Sequence, residues 1–116
     1  MKMIIAMIRP ERLEAVEDAL AKVLDEGDNY RITVDTVEGR GRAAGETEYV
    51  RGREVKVRLV QKTRLMIAVN DAYVEKTIDA IVQGAREGQL GDGKIFVLPL
   101  EEVVSIRTGQ RGGAAI

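Results

Sequence analysis

The run Met3-Ile4-Ile5-Ala6-Met7-Ile8 is apolar at odd and even positions alike. A strand with one wet face would alternate, so this run reads as a strand covered on both faces, central in its sheet. The rest of the chain must therefore supply a layer for each face. Pro10 suits the first position of a helix, where its missing N–H costs nothing. Leu13, Val16, Leu20, Val23 and Leu24 then recur at helical spacing, with Glu14, Glu17, Asp18 and Lys22 opposite. Gly27 is expected to stop this helix.

Asp28-Asn29 is turn material, and a second strand is expected from about Arg31 to Glu38, built on Ile32, Val34 and Val37. Val55, Val57 and Leu59 alternate with Lys56 and Arg58, and the pattern continues through Leu65 to Val69. These two strands read as an antiparallel pair joined by a long loop from about Gly41 to Glu54. That loop has little to bury, so it is expected to be mobile, and a loop of that length in a small domain is usually functional. Asn70 or Asp71 is expected to cap a second helix carrying Val74, Ile78, Ile81, Val82 and Ala85, with Gly88 at its end. A strand from Lys94 to Leu98 follows, with Pro99 closing it or lying on an edge. Val103 to Thr108 offers one further short pairing segment. The order strand, helix, strand, strand, helix, strand predicts an α+β fold, a ferredoxin-like split β-α-β sandwich, as a single domain over residues 1–116. Two helices cover one face of the sheet, and the apolar residues of the other face call for copies of the chain as cover.

Gly88-Gln89-Leu90-Gly91-Asp92-Gly93-Lys94 joins the second helix to the last strand. Three glycines in six residues let main-chain N–H groups approach a ligand closely, and a fixed ammonium beside them suits a polyphosphate. The same residues also read as a helix-ending turn with Lys94 in solvent. The stretch precedes a strand rather than a helix and lacks the G-x-x-x-x-G-K-[ST] spacing, so it is not a Walker A loop.

The chain has no cysteine and no histidine, which argues against a disulfide framework, a thiolate metal site and a histidine-dependent catalytic set. It carries no membrane-length apolar run and no signal-peptide pattern, and is expected in the cytoplasm. Net charge is −1, yet Arg40 to Arg64 holds eight basic residues against three acidic ones, a segment fit for an anionic ligand, nucleic acid or an acidic partner. An RNA-binding module of the same strand order wants stacking aromatics. Aromatics are 3% of the chain and Phe96 is its one phenylalanine, which argues against nucleic acid.

Over nearly its whole length the chain resembles the PII family of nitrogen-signalling proteins. The match rests on Gly88-x-x-Gly91-Asp92-Gly93-Lys94-Ile95-Phe96 with Ile106-Arg107-Thr108-Gly109. Ile8-Arg9-Pro10, Gly39-x-Gly41-Arg42, Thr47-Glu48, Arg51-Gly52, Lys62 and Ala114-Ala115-Ile116 support it. The resemblance implies a homotrimer with adenine nucleotides, ATP and ADP and also AMP, in clefts between subunits, with Mg²⁺ entering only with ATP. It implies a non-catalytic regulator that controls a target enzyme or membrane transporter through its T-loop, about residues 41–54. It also implies a phosphate loop over about 86–94 and a C-terminal loop over about 105–116. Carried over by position, Gly91, Asp92, Gly93 and Lys94 hold the phosphates, and Arg107 and Thr108 come from the neighbour. Arg42, with Gly39, Gly41 and Ala43, sits at the loop base, while Met7, Ile32, Thr33 and Ala68 line the nucleotide. Gly45 and Lys62 fall on effector positions. Glu46, Thr47, Glu48, Tyr49, Arg51 and Arg53 would face the partner.

The departures bear on what is sensed. The family's loop-base glutamine, which serves Mg²⁺ and 2-oxoglutarate, is Ala43 here, and one C-terminal phosphate arginine is Ser105. The tyrosine modified in many bacterial members is Val55, and the cyanobacterial phosphoserine position is Arg53. A 2-oxoglutarate response is therefore in question. The alternative is a sensor of the same fold tied to another pathway, such as carbon or metal transport, with a different effector.

Overall fold

The computed structural model describes residues 1–24, 30–40, 47–50, 53–56 and 59–116, with 47–50 and 53–56 described through their backbone. Strand β1 (Lys2–Ile8) leads through a 3-10 turn at Pro10–Arg12 into helix α1 (Leu13–Val23). Strand β2 (Ile32–Gly39) follows, then the strands β3 (Thr47–Val50) and β4 (Arg53–Lys56). Strand β5 (Val60–Val69), helix α2 (Val74–Ala85) and strand β6 (Gly93–Pro99) complete the domain. The main sheet has the order β2-β5-β1-β6 with antiparallel neighbours, so β1 lies inside the sheet, as its unbroken apolar run requires. This is the split β-α-β arrangement expected from the order of elements.

Register assigns each residue a face. Ile32, Ile67, Ile4 and Val97 form one row across the four strands. On that side Ile4, Ala6, Ile8, Leu65, Ile67 and Val69 are buried beneath Val16, Leu20 and Leu24 of the α1 region and Ala80, Ile81 and Ala85 of α2. Each such aliphatic side chain contributes about 1.5–3 kcal/mol on full burial, which makes this layer the core. On the other side Met3, Ile5, Met7, Met66 and Ala68 are only half-buried. Phe96 and Leu98 there remain 48% and 44% exposed. The apolar run of β1 thus has one face fully covered and one that the chain itself covers only in part.

Several local details differ from expectation for identifiable reasons. Helix α1 stops at Val23, with Leu24 already extended, and Gly27 lies outside the described residues. Neither Asn70 nor Asp71 caps α2. Asn70 donates from Nδ2 to the Gly113 carbonyl (3.0 Å), and Asp71 accepts the Met1 ammonium (2.8 Å). Both side chains are engaged by the chain termini instead. Helix α2 ends at Ala85, three residues before Gly88, which belongs to the following turn. Within the segment read as one mobile loop, Thr47–Val50 pairs with Arg53–Lys56 as an antiparallel ladder. β4 therefore pairs with β3 rather than extending β5 against β2; the rest of the expected loop, 41–46 and 51–52, lies outside the described residues. Val104 bridges to Arg111, so the C-terminal segment pairs with itself. Pro99 ends β6, an edge strand, where a missing N–H is tolerated.

Candidate functional site

One end of the sheet collects the exit of β1 at Ile8-Arg9, the start of β5 at Val60–Lys62 and the entry to β6 at Gly93. The glycine turn lies there. Gly88, Gly91 and Gly93 adopt φ of 81°, 92° and 114°, the left-handed region that the sequence anticipates. At Gly93 the requirement is also steric, because an added Cβ would sit 1.7 Å from the Met7 carbonyl oxygen. The glycine lets β6 begin pairing directly against β1.

Asp92 organises the turn. Its Oδ2 accepts the N–H groups of Glu87 (3.0 Å), Gly88 (2.8 Å) and Gln89 (3.2 Å). The N–H of Glu87 above all, with those of Gly88 and Gln89 and the nearby Arg9 cation, holds its carboxyl below the usual range against the opposing effect of desolvation. Asp92, expected among the phosphate-holding residues, thus commits its carboxylate to its own loop, and the amides of 87–89 are turned inward to it. Two cations, Arg9 and Lys62, brace the turn from outside, and a third, Arg12, holds the last turn of α2 that leads into it. Arg12 donates from Nε and Nη2 to the Gly84 carbonyl (2.9 and 2.7 Å), Arg9 from Nη2 to the Leu90 carbonyl (2.7 Å) and Lys62 from Nζ to the Gly91 carbonyl (2.8 Å). Lys94 is exposed at the start of β6 and has no partner among the described residues. A preformed loop ending in an available ammonium can meet an anion at little ordering cost.

The other expected ligand residues divide between regions. Met7 faces Lys94 on one neighbouring strand and Arg64 on the other. Arg64 is itself held by Asp35, donating from Nε to Oδ1 (2.9 Å) and from Nη2 to Oδ2 (2.5 Å), and this hydrogen bonding lowers the Asp35 pKa. Thr33 and Ala68 lie on the same open face, opposite Met66 and Met3. Strand β2 is three strand spacings, about 14 Å, from β6, so Thr33 and Lys94 stand at opposite edges. Ile32 packs against the core, which takes its side chain away from that face. Gly39 ends β2 opposite Val60, while Gly41, Arg42, Ala43, Gly45, Glu46 and Arg51 lie outside the described residues. Thr47, Glu48 and Tyr49 are in β3, and Arg53 opens β4.

Arg107 and Thr108 are exposed on the C-terminal turn. The base of that turn is rooted at the far end of the sheet. Leu100 N–H donates to the Met1 carbonyl (3.0 Å), and Gly113, one residue beyond the turn, is held by Asn70 at the end of β5. The seven residues of β6 span roughly 20 Å between that end and Lys94. A cleft of about 340 Å³ between α2 and β6 gathers Met7, Arg86, Asp92, Gly93 and Lys94 at its rim, but most of its lining is aliphatic, from Ile8, Ile78, Ile81, Val82, Ala85 and Ile95. Arg9 and Arg12 as braces escaped sequence reasoning. The available signal was a pair of arginines flanking Pro10 at the strand-to-helix junction.

These features define a small ferredoxin-like α+β domain with a braced glycine loop and, at one end of its sheet, a lysine unpaired among the described residues. The family described as nitrogen regulatory protein P-II matches residues 1–110. The chain belongs to that family, a family of regulatory proteins. It is 47% identical over 116 residues to nitrogen regulatory protein P-II 2 of Methanothermobacter thermautotrophicus, covering all of this chain and 97% of the relative. It is also 47% identical to nitrogen regulatory protein P-II of Azospirillum brasilense and 46% identical to that of Rhodospirillum rubrum, each aligned over 116 residues and covering both chains in full.

Proposed function

We propose that the chain is a non-catalytic nitrogen-signalling regulator that binds adenine nucleotides between the subunits of a homotrimer. It would act in the cytoplasm and control a target enzyme or transporter through residues 41–54. Among the described residues, no helix is long and apolar enough to cross a membrane. The observation that carries the reading is the separation of Lys94 from Arg107 and Thr108 along β6, together with the half-covered apolar face of the sheet. A second copy docked on that face would cover Met3, Ile5, Phe96 and Leu98 and could bring its Arg107 to the first copy's Lys94. The donor set suits a nucleotide diphosphate or triphosphate: a presented ammonium, glycine backbone and a guanidinium from the neighbour. The described residues hold no cluster of three metal-ligating side chains, and in this reading Mg²⁺ arrives with ATP.

Two features support a weak response to 2-oxoglutarate. Ala43 lacks the side-chain oxygen of the family's loop-base residue, so Mg²⁺ loses one hard ligand. The Lys62 ammonium already serves the Gly91 carbonyl. Discrimination among ATP, ADP and AMP is then the main signal, and the same features favour an effector other than a 2-oxo acid. Calorimetric titration with ATP, ADP, AMP and 2-oxoglutarate, with and without Mg²⁺, tests the reading. Nucleotide binding with no magnesium-dependent 2-oxoglutarate signal is the expected result. Absence of any nucleotide binding, or a clean monomer by light scattering at micromolar concentration, would reject it.

A further inference from the structure

The loop between α2 and β6 is shaped by side chains remote in sequence, and Arg9 is the one that touches both parts of the device. Its Nη2 holds the Leu90 carbonyl at 2.7 Å, while its Nε lies 3.6 Å from Oδ1 of Asp92, the residue that gathers the three loop amides. Arg9 Nε and Asp92 Oδ1 are both screened from solvent, and neither has a hydrogen-bond partner among the described residues. Groups so placed are normally satisfied, so each depends on the other's charge. Arg9 directly precedes Pro10, which forces it into an extended conformation (φ −65°, ψ 137°) and fixes the start of its side chain. With its head engaged on the loop, its guanidinium is turned inward. Asp92 also presents an electrostatic problem, since a carboxylate two residues before Lys94 repels any anion that Lys94 attracts.

We infer that Arg9 is a positioning residue for the anion site. It fixes Asp92 and the Leu90 carbonyl, and so the shape in which Gly91 to Lys94 are presented, and it offsets the Asp92 charge without touching the bound phosphate. The inference rests on the nucleotide reading of this loop, and its test separates the two.

Arg9→Gln should weaken ADP binding between about ten- and a hundredfold, the range for residues that orient a ligating group from behind. The dependence of affinity on salt supplies the discriminating readout. Lys94→Ala removes a direct charge contact and should flatten that dependence, whereas Arg9→Gln should lower affinity while changing the slope by less than Lys94→Ala does. In ligand-free protein, the Gly88 and Gln89 amides should exchange with solvent faster in Arg9→Gln than in the parent. Arg9→Lys keeps the charge without the fork, and should recover part of the affinity but not the amide protection. An Arg9→Gln, Asp92→Asn double variant should bind no worse than the weaker single variant, since both act on one contact. Unchanged affinity, a salt dependence flattened as much as in Lys94→Ala, or unchanged amide exchange in Arg9→Gln would each overturn the inference while leaving the nucleotide site intact. A parent protein that binds no nucleotide overturns both.

Discussion

The glycine loop and the C-terminal turn are both short, polar and built around positive-φ glycines, yet they are held in opposite ways. The loop is tied to Arg9 and Lys62, whose partners lie 81 and 29 residues away in sequence, while Arg12 holds the end of α2 beside it. The turn is shaped by bonds within its own few residues: Ser105 N–H to the Gln110 carbonyl, Gly109 N–H to that of Ser105, and Gly112 N–H to that of Val103. Glu102 reinforces it locally, accepting the Gly112 N–H at 3.0 Å. The loop adds these long-range ties to the local bonds of Asp92, and they fix it relative to the domain. The turn keeps its shape by itself and holds out a fully exposed Ile106 beside Arg107. The first arrangement suits the half of a site that must be preformed. The second suits the half that must reach another molecule.

The sharpest way to break this comparison is to place the same change in both regions. Gly93 and Gly109 both have positive φ, at 114° and 71°. A Cβ at Gly93 strikes the Met7 carbonyl, whereas one at Gly109 meets nothing within 4 Å. Gly93→Ala should cost on the order of 3 kcal/mol or more, with loss of β1–β6 pairing. Gly109→Ala should cost only about 1–2 kcal/mol of backbone strain. Urea denaturation of the two variants measures the difference, and equal losses would mean that the loop is no more constrained than the turn.

Next in size are the two cations. Lys94→Ala and Arg107→Ala should each weaken nucleotide binding by about 1.5–3 kcal/mol, the range for a hydrogen bond to a charged group. Neither should unfold the domain, because both side chains are exposed. If the halves of the site come from different subunits, mixing the two variants after dissociation and reassembly should restore about a quarter of the sites, those pairing an intact Lys94 with an intact Arg107. A mixture that binds no better than its components would place both residues in one subunit's site.

The contrast also explains what the sequence could reveal. β1, both helices and the order of the main-sheet strands were legible because each is written locally, in an apolar run or a helical stripe. The glycine turn was legible for the same reason. Asp92 is expected among the phosphate-holding residues through the family resemblance; its carboxylate also gathers the nearby amides of Glu87, Gly88 and Gln89, and its remote neighbour Arg9 is visible only in the fold. Arg9, Arg12 and Lys62 bond to main-chain carbonyls, which carry no side-chain signature, so no pattern announces those contacts. The resemblance puts Ile32 beside the nucleotide, and its register with Ile67 packs its side chain against the core. The β3–β4 ladder was missed because Thr47–Val50 does not stand out from a polar loop and the alternation at Val55 and Lys56 does not reveal which strand it pairs with. Asn70 looked like a cap for α2, and only the returning C-terminus shows why its amide is used elsewhere.

The smallest expected effect concerns pH. Asp92 is held below its ordinary value of 3.8, chiefly by the Glu87 N–H, and Asp35 below the same value, chiefly by its hydrogen bonds to Arg64. A carboxyl whose folded pKa is depressed binds its proton less readily in the folded state. Its contribution to stability is thus fully present above the unfolded value and is lost as pH falls through the folded one. The chain has no histidine, so no imidazole titrates between pH 5 and 8. Stability and loop order should stay nearly flat from pH 8 to 5 and begin to fall only below about pH 4. In the C-terminal turn the Gly109 N–H bonds to the Ser105 carbonyl, so that amide should keep its protection to lower pH than those of Gly88 and Gln89. Amide exchange followed down to pH 3.5 in parent and Asp92→Asn protein reads this directly, after correction for the intrinsic pH dependence of exchange. Asp92→Asn should abolish the early acid loss of protection at Gly88 and Gln89 while leaving Gly109 unchanged. Simultaneous loss at all three amides in the parent would show that the loop and the turn open together, and that the difference in how they are held does not govern their stability.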